Sequence, residues 1–202
     1  MYNIVAIFGK SGVGKDTLLK FLCKNKSYHA IVSYTTRPPR ENERDGIDYH
    51  FIDKFTFSEK VAKSEMLEYT EFKKDWFYGT GIDDLRTSKT NIGVFNPSGI
   101  ISLIKIAEKE PDKYNIMFCC VETDEKTRLL RSLNREEYPD CREICRRFIS
   151  DENDFFHLDN YLHNSDYMKN KKNCMVIKSS GTNFLSQPFT QDIMDQIDKY
   201  FS

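Results

Sequence analysis

Gly9-Lys10-Ser11-Gly12-Val13-Gly14-Lys15 has the residue types and spacing of a loop that wraps phosphate. Glycines let the chain turn tightly and bring N–H groups against anionic oxygens, and a helix that follows adds the positive end of its dipole. Lys15 supplies a mobile point charge for the outer phosphates. The loop therefore predicts a bound nucleoside triphosphate, ATP being the donor we expect, held by Gly9, Ser11, Gly12, Val13, Gly14, Lys15, Asp16 and Thr17. The residue after such a lysine is ordinarily Ser or Thr, whose hydroxyl reaches Mg²⁺. Here it is Asp16, with Thr17 next. A carboxylate beside a triphosphate is repelled unless a metal ion lies between them. Either Asp16 reaches Mg²⁺, directly or through water, or Thr17 takes over the hydroxyl's role.

A second set of residues suits another anion. In Ser33-Tyr34-Thr35-Thr36-Arg37-Pro38-Pro39-Arg40 the prolines hold a turn from which Arg37 and Arg40 can converge on one phosphate as planar forks. Tyr49 and Tyr78 bring phenols that could donate to the same group, and Glu68 could accept two donors from a base edge. Each residue alone also fits a solvated loop. Arg128, Arg131, Arg135, Arg142, Arg146 and Arg147 crowd one later segment. They suit phosphate neutralisation or a solvated helix face paired with Glu136, Glu137 and Glu143. Cys23, Cys119, Cys120, Cys141, Cys145 and Cys174 make no C-x-x-C pair and join none of the four His in a zinc pattern. Buried, reduced thiols and a cytoplasmic setting are expected from them.

These groups need a scaffold. Tyr2–Phe8, Ala30–Ser33, Ile92–Phe95, Ile116–Val121 and Cys174–Ile177 are short apolar runs suited to buried parallel strands. Helical patterns fall between them, at Lys15–Lys24, Ser98–Glu110 with a Ser cap, Glu125–Leu133, Glu143–Ile149 and Gln191–Phe201. Strands alternating with helices predict an α/β fold on a parallel five-stranded sheet. The segment from about 34 to 90, rich in Tyr, Phe and charge, reads as an inserted lobe without a long helix. Asn160–Asn164 competes with Cys174–Lys178 as the last strand. The second is preferred, because the loop Ser179-Ser180-Gly181-Thr182 after it could lie near the ATP base. The 202 residues fit one domain, and 30 Lys and Arg against 31 Asp and Glu exclude a generally basic nucleic-acid coat. No apolar run approaches a membrane span and no secretory signal is visible at the start.

The order of motifs resembles the guanylate kinase family. S-x-T-T-R-P-P-R, then E-x-x-G-x-D-Y-x-F from Glu43 to Phe51, then Leu67-Glu68-Tyr69, then Tyr78-Gly79-Thr80 follow the phosphate loop in sequence. The resemblance runs to about Phe156 and is strongest from Ile4 to Thr80. It implies a P-loop core (1–33, 91–125 and 174–202), a nucleoside monophosphate lobe (34–90) and an Arg-rich lid (about 126–150). It also implies transfer from ATP, with Mg²⁺, to GMP or dGMP. Arg37, Arg40, Tyr49 and Tyr78 would hold the acceptor phosphate, and Ser33, Glu68 and Thr80 would read guanine. Glu43 matches the acid of the turn. Arg131, Arg135 and Arg147, with Arg146 adjacent, match the lid arginines that would act with Lys15 in catalysis.

One stretch departs from the pattern. Where the family reads D-x-D-x-x-G, this chain has Val94-Phe95-Asn96-Pro97-Ser98-Gly99. Asn96 stands at the base-facing position and Val94 at the metal-facing one. Either Asp16 restores the charge that Val94 lacks, or the site is impaired. Three activities fit: a GMP kinase, a monophosphate kinase of altered base choice, and a binding module of the same fold.

Overall fold

Tyr2–Phe8 is apolar because both of its faces are covered. Ile4, Ala6 and Phe8 point into one buried cluster, and Val5 and Ile7 into another. The computed structural model describes residues 1–41, 43–135, 137–169, 171–179 and 186–202. In chain order its elements are β1 (Tyr2–Phe8), α1 (Lys15–Leu22), β2 (Tyr28–Ala30), β3 (Tyr34–Thr35), β4 (His50–Phe51), α2 (Lys54–Ala62), β5 (Met66–Lys73), β6 (Trp76–Gly81), β7 (Thr90–Val94), α3 (Pro97–Lys109), β8 (Tyr114–Glu122), α4 (Glu125–Leu133), α5 (Cys141–Asn164), α6 (Asp166–Lys169), β9 (Cys174–Lys178) and α7 (Gln187–Phe201).

The main sheet has the order β2-β7-β1-β8-β9, and every pairing is parallel. One face packs against Ile100, Leu103, Ile104 and Ala107 of α3 and Phe155 and Leu158 of α5. The other packs against Leu18 and Leu22 of α1 and Ile193 and Ile197 of α7. Each such side chain contributes roughly 1.5–3 kcal/mol when fully buried. A second, smaller sheet has the order β4-β3-β6-β5, with β6 antiparallel to both of its neighbours.

The α/β reading with five parallel strands holds, but several boundaries move. The strand expected at Ala30–Ser33 pairs at Tyr28–Ala30, and the one expected at Ile92–Phe95 spans Thr90–Val94. The second sheet's segment holds a nine-residue helix, α2, capped by the Asp53 side chain. The cap of α3 is Asn96, whose carbonyl oxygen accepts from the Gly99 N–H, with Pro97 opening the first turn, so Ser98 is already inside the helix. The helix expected over Glu143–Ile149 runs on to Asn164, because Phe155, Leu158 and the partly buried Tyr161 and Leu162 continue its inner face. That placement removes Asn160–Asn164 as a strand, and β9 is the last strand. All six cysteines are free thiols, but Cys141 and Cys145 stand exposed at the start of α5 rather than buried. No helix among the described residues is long and apolar enough to cross a membrane. Ser180, Gly181, Thr182 and Glu136 lie outside the described residues.

Candidate active site

The phosphate loop joins the end of the central strand to α1, at the carboxyl edge of the sheet where open α/β folds present ligand crevices. Gly12 has φ +81°, and a Cβ there would stand 2.6 Å from the Arg128 carbonyl oxygen, so α4 presses directly on the loop. Lys15 folds back along the loop, its Nζ donating to the Gly9 carbonyl at 2.7 Å and the Lys10 carbonyl at 3.1 Å. Burial pushes its ammonium below the usual lysine range, while the carboxylates of Asp16 and Asp151 oppose the shift. Asp16 and Thr17 lie exposed on the first turn of α1. Ser11 departs from expectation. Its N–H donates to Asp151 at 2.7 Å, so that amide is turned toward α5 rather than offered to a phosphate.

The residues expected to form a second anion site lie on and around the small sheet. Arg37 is only 4% exposed. Its Nε donates to the Tyr78 hydroxyl at 3.0 Å, its Nη1 to the Pro38 carbonyl at 2.6 Å, and its Nη2 to both Glu43 carboxylate oxygens at 2.8 Å. Glu43 also accepts from the Arg40 N–H at 2.8 Å, and the largely exposed Arg40 guanidinium approaches it at 3.8 Å. Arg37 and Arg40 thus converge on one carboxylate. The Tyr49 ring lies edge-on to Tyr78, with their centroids 5.8 Å apart, and the Arg37 guanidinium sits 5.6 Å from the Tyr49 ring centre. Burial pushes the Tyr49 phenol up, and Tyr78 and the Asp16 carboxylate add to the push. The first turn of α1, which carries Asp16, therefore lies within electrostatic range of Tyr49.

Glu68 on β5 is 8% exposed and accepts from the Thr80 hydroxyl on β6 at 2.8 Å. Burial drives its carboxyl up to about 7, with the Thr80 hydrogen bonds opposing. Its second oxygen lies 3.1 Å from where a Gly99 Cβ would stand, and the Asn96 carbonyl oxygen lies 3.3 Å from the same point. Glu68 and Asn96 therefore both approach Gly99, where a Cβ would be tight against them. Ser33 precedes β3, and its carbonyl accepts from the His50 N–H at 2.9 Å.

The arginines divide. Arg131 reaches the loop, donating to the Val13 carbonyl at 3.2 Å and the Ser179 carbonyl at 2.7 Å, while the Ser179 hydroxyl donates to Val13 at 2.6 Å. Arg135 is exposed at the end of α4. Arg146 and Arg147 on α5 both bind Glu143, and their hydrogen bonds hold its carboxyl at about 2. Arg128, which the sequence leaves open between a phosphate contact and a solvated helix face, is 2% exposed. Its partners Asp151 and Glu152 escape a reading of the sequence, because a carboxylate on a charged helix gives no sign there of facing inward.

The family model for guanylate kinase matches residues 1–170. The chain belongs to the guanylate kinase family. Guanylate kinase of Schizosaccharomyces pombe is 49% identical over 80 residues, which are 39% of this chain and 39% of that protein. That of Latilactobacillus sakei is 34% identical over 112 residues, 54% of this chain and 55% of its own length. These alignments span well under two thirds of the two relatives. That of Prochlorococcus marinus is 31% identical over 137 residues, 67% of this chain and 74% of its own. A crystal structure of guanylate kinase from Anaplasma phagocytophilum shares the fold, with a TM-score of 0.57, 17% identity, and coverage of 99% of this chain and 85% of that one. Within this guanylate kinase fold, Val94 closes β7 and Asn96 caps α3, so neither position carries a carboxylate.

Proposed function

We propose that this protein transfers the γ-phosphoryl group of ATP to GMP or dGMP. The observation that supports the reading is that one fold holds both the Gly-rich loop around Lys15 and a buried Arg37 bound to Tyr78 and Glu43 beside Arg40 and Tyr49, with Asp16 after the loop close enough to act on Tyr49. An oxygen of the acceptor phosphate forms the new bond to the γ-phosphorus as the bond to the bridging β–γ oxygen breaks, and ADP leaves. No side-chain nucleophile is needed, so the protein's work is positioning and neutralising charge. The loop amides and Lys15 cradle the donor. Glu43 fixes the Arg37 fork so that the phosphate meets it already oriented. Glu68, once ionised, accepts from the N1–H and exocyclic amine of guanine, beside Thr80, Ser33 and Asn96. Arg131 stands at the loop, and Arg135 and Arg147 are the further arginines in reach of a closing lid.

Mg²⁺ with ATP fits the donor set. Among the described residues no three His, Cys, Asp or Glu form a metal cluster. One exposed carboxylate beside the phosphate loop is what a magnesium ion held mostly by phosphate oxygens and water requires. Asp16 would hold it, with Thr17 adjacent, and the ion when bound would neutralise the developing charge on the phosphates. Asp16→Ala should raise the Mg²⁺ concentration needed for half-maximal rate. An unchanged Mg²⁺ dependence would remove Asp16 from this role.

The test of the whole reading is a coupled ADP-release assay with each nucleoside monophosphate, run beside Lys15→Ala. GMP and dGMP should be the best acceptors, and Lys15→Ala should lower turnover by about two to three orders of magnitude. If GMP and dGMP are inert while another base is phosphorylated, Glu68 has been assigned wrongly. If no acceptor works, the transferase reading falls.

A further inference from the structure

A network of charged side chains around the buried Arg128 grips the phosphate loop, and none of the roles above uses it. Arg128 on α4 donates from Nε to the Ser11 carbonyl at 3.0 Å and from Nη2 to Asp151 at 2.9 Å, with Nη1 3.4 Å from Glu152. Its guanidinium lies 4.3 Å from the Phe148 ring centre. Asp151 on α5 accepts from the Ser11 N–H at 2.7 Å and from the Ser11 hydroxyl at 3.3 Å. Lys10 closes the set with a 2.5 Å ion pair to Glu152. Both backbone polar groups of one loop residue, and its side chain, are thus held by the two helices that follow β8.

Stability alone is a poor reason for this arrangement. A buried ion pair roughly breaks even against well-packed apolar side chains of the same volume. What the pair does, and apolar side chains could not, is aim two charge-assisted hydrogen bonds at a single residue's backbone. The charges also cancel, Lys10 and Arg128 against Asp151 and Glu152. A carboxylate sits close against the loop without adding net repulsion to an incoming triphosphate. The next residue, Gly12, takes its positive φ directly against the Arg128 carbonyl, so the grip ends where the turn toward the donor begins.

We propose that Asp151 is a positioning residue for the donor nucleotide. It pins the Ser11 backbone, which sets the direction of the Gly12–Lys15 amides toward the triphosphate. It also ties α5, which carries Arg146 and Arg147, to the loop. This rests on the reading of the loop as the ATP site and makes no use of the acceptor.

The test measures ATP affinity by titration calorimetry and the KM values for ATP and GMP, in Asp151→Asn, Asp151→Ala and the double variant Arg128→Met with Asp151→Asn. Asp151→Asn keeps an acceptor oxygen for the Ser11 N–H, Asp151→Ala does not, and the double variant removes both charges of the pair while keeping that acceptor. The expected result is a loss of ATP affinity of about tenfold in Asp151→Ala, with KM for GMP within about twofold of wild type. Asp151→Asn, or the double variant where the single one fails to fold, should regain most of that loss. The proposal is overturned if the Asn-bearing variants lose as much ATP affinity as Asp151→Ala. It is equally overturned if both nucleotides weaken together, or if only the melting temperature falls. The calorimetric arm needs no turnover. A wild type that binds ATP but phosphorylates nothing defeats the proposed transfer and leaves this inference to be decided by the variants.

Discussion

Glu68 has to be ionised to accept from a guanine edge, yet burial holds its carboxyl at about 7. Two outcomes follow. The rate constant kcat/KM for GMP should fall with one proton's slope below about pH 7, since that quantity reports the free protein's ionisations. Stability carries the same signature with a fixed sign. The folded value is raised above the ordinary 4.5, so the folded state binds the proton more tightly. The stability this confers is complete below the unfolded value and is lost as pH rises through about 7. Glu68→Gln should therefore raise the melting temperature at about pH 8 and leave it nearly unchanged at about pH 4. The difference in stability is of order 3 kcal/mol, since the carboxyl rises from 4.5 to about 7 and each tenfold in proton affinity is about 1.4 kcal/mol. Thermal melts across that range decide it. Asn96 is the other residue-scale test. Its carbonyl oxygen already caps Gly99 at 2.8 Å, so its NH₂ is the group it can offer a base. Asn96→Asp keeps the cap and substitutes an acceptor. The preference for GMP over IMP, which lacks the 2-amino group, should rise by about tenfold in kcat/KM.

At the scale of elements, the phosphate loop depends on what packs behind it. Gly12→Ala places a side chain at φ +81° and 2.6 Å from the Arg128 carbonyl. A loss of about 1–3 kcal/mol in stability is expected, together with weaker ATP binding, from melts and ATP titration. The loop itself is legible in the sequence, because glycines at fixed offsets between an apolar run and a Leu-rich helix suit little besides a cradle for phosphate. The neighbouring elements are less so. The cap of α3 lies two residues before the expected one because Ser98 and Asn96 are both good caps, and only the backbone shows which carbonyl meets the Gly99 N–H. Helix α5 outruns its expected end because exposed apolar residues such as Ile149 and Phe156 blur the stripe that Phe155 and Leu158 continue. Helix α2 is hidden in the sequence because it buries only Phe57, which leaves almost no periodic signal.

At the scale of the whole molecule, the two sheets share one core. Leu67 of the small sheet lies in the same buried cluster as Leu103 and Ile104 of α3 and Phe118 of β8. The small sheet is therefore not an independent unit, and calorimetry should show a single cooperative transition. Leu67→Ala should lower the stability of that whole transition by about 2–5 kcal/mol. A separate early transition would contradict the shared core.

Composition, strand–helix alternation and the glycine loop determined by themselves that this is a parallel α/β protein carrying the residue pattern of a phosphate loop. These are local properties, since a glycine, an apolar run or a proline acts on its own stretch of chain. Which charges face inward was decided only by the tertiary structure. Arg128 meets Ser11 and Asp151, and Glu68 approaches Gly99 beside Asn96, through contacts between residues far apart in sequence. Burial and partner together set what a charged group does, and neither is a property of the residue's own neighbourhood in the chain.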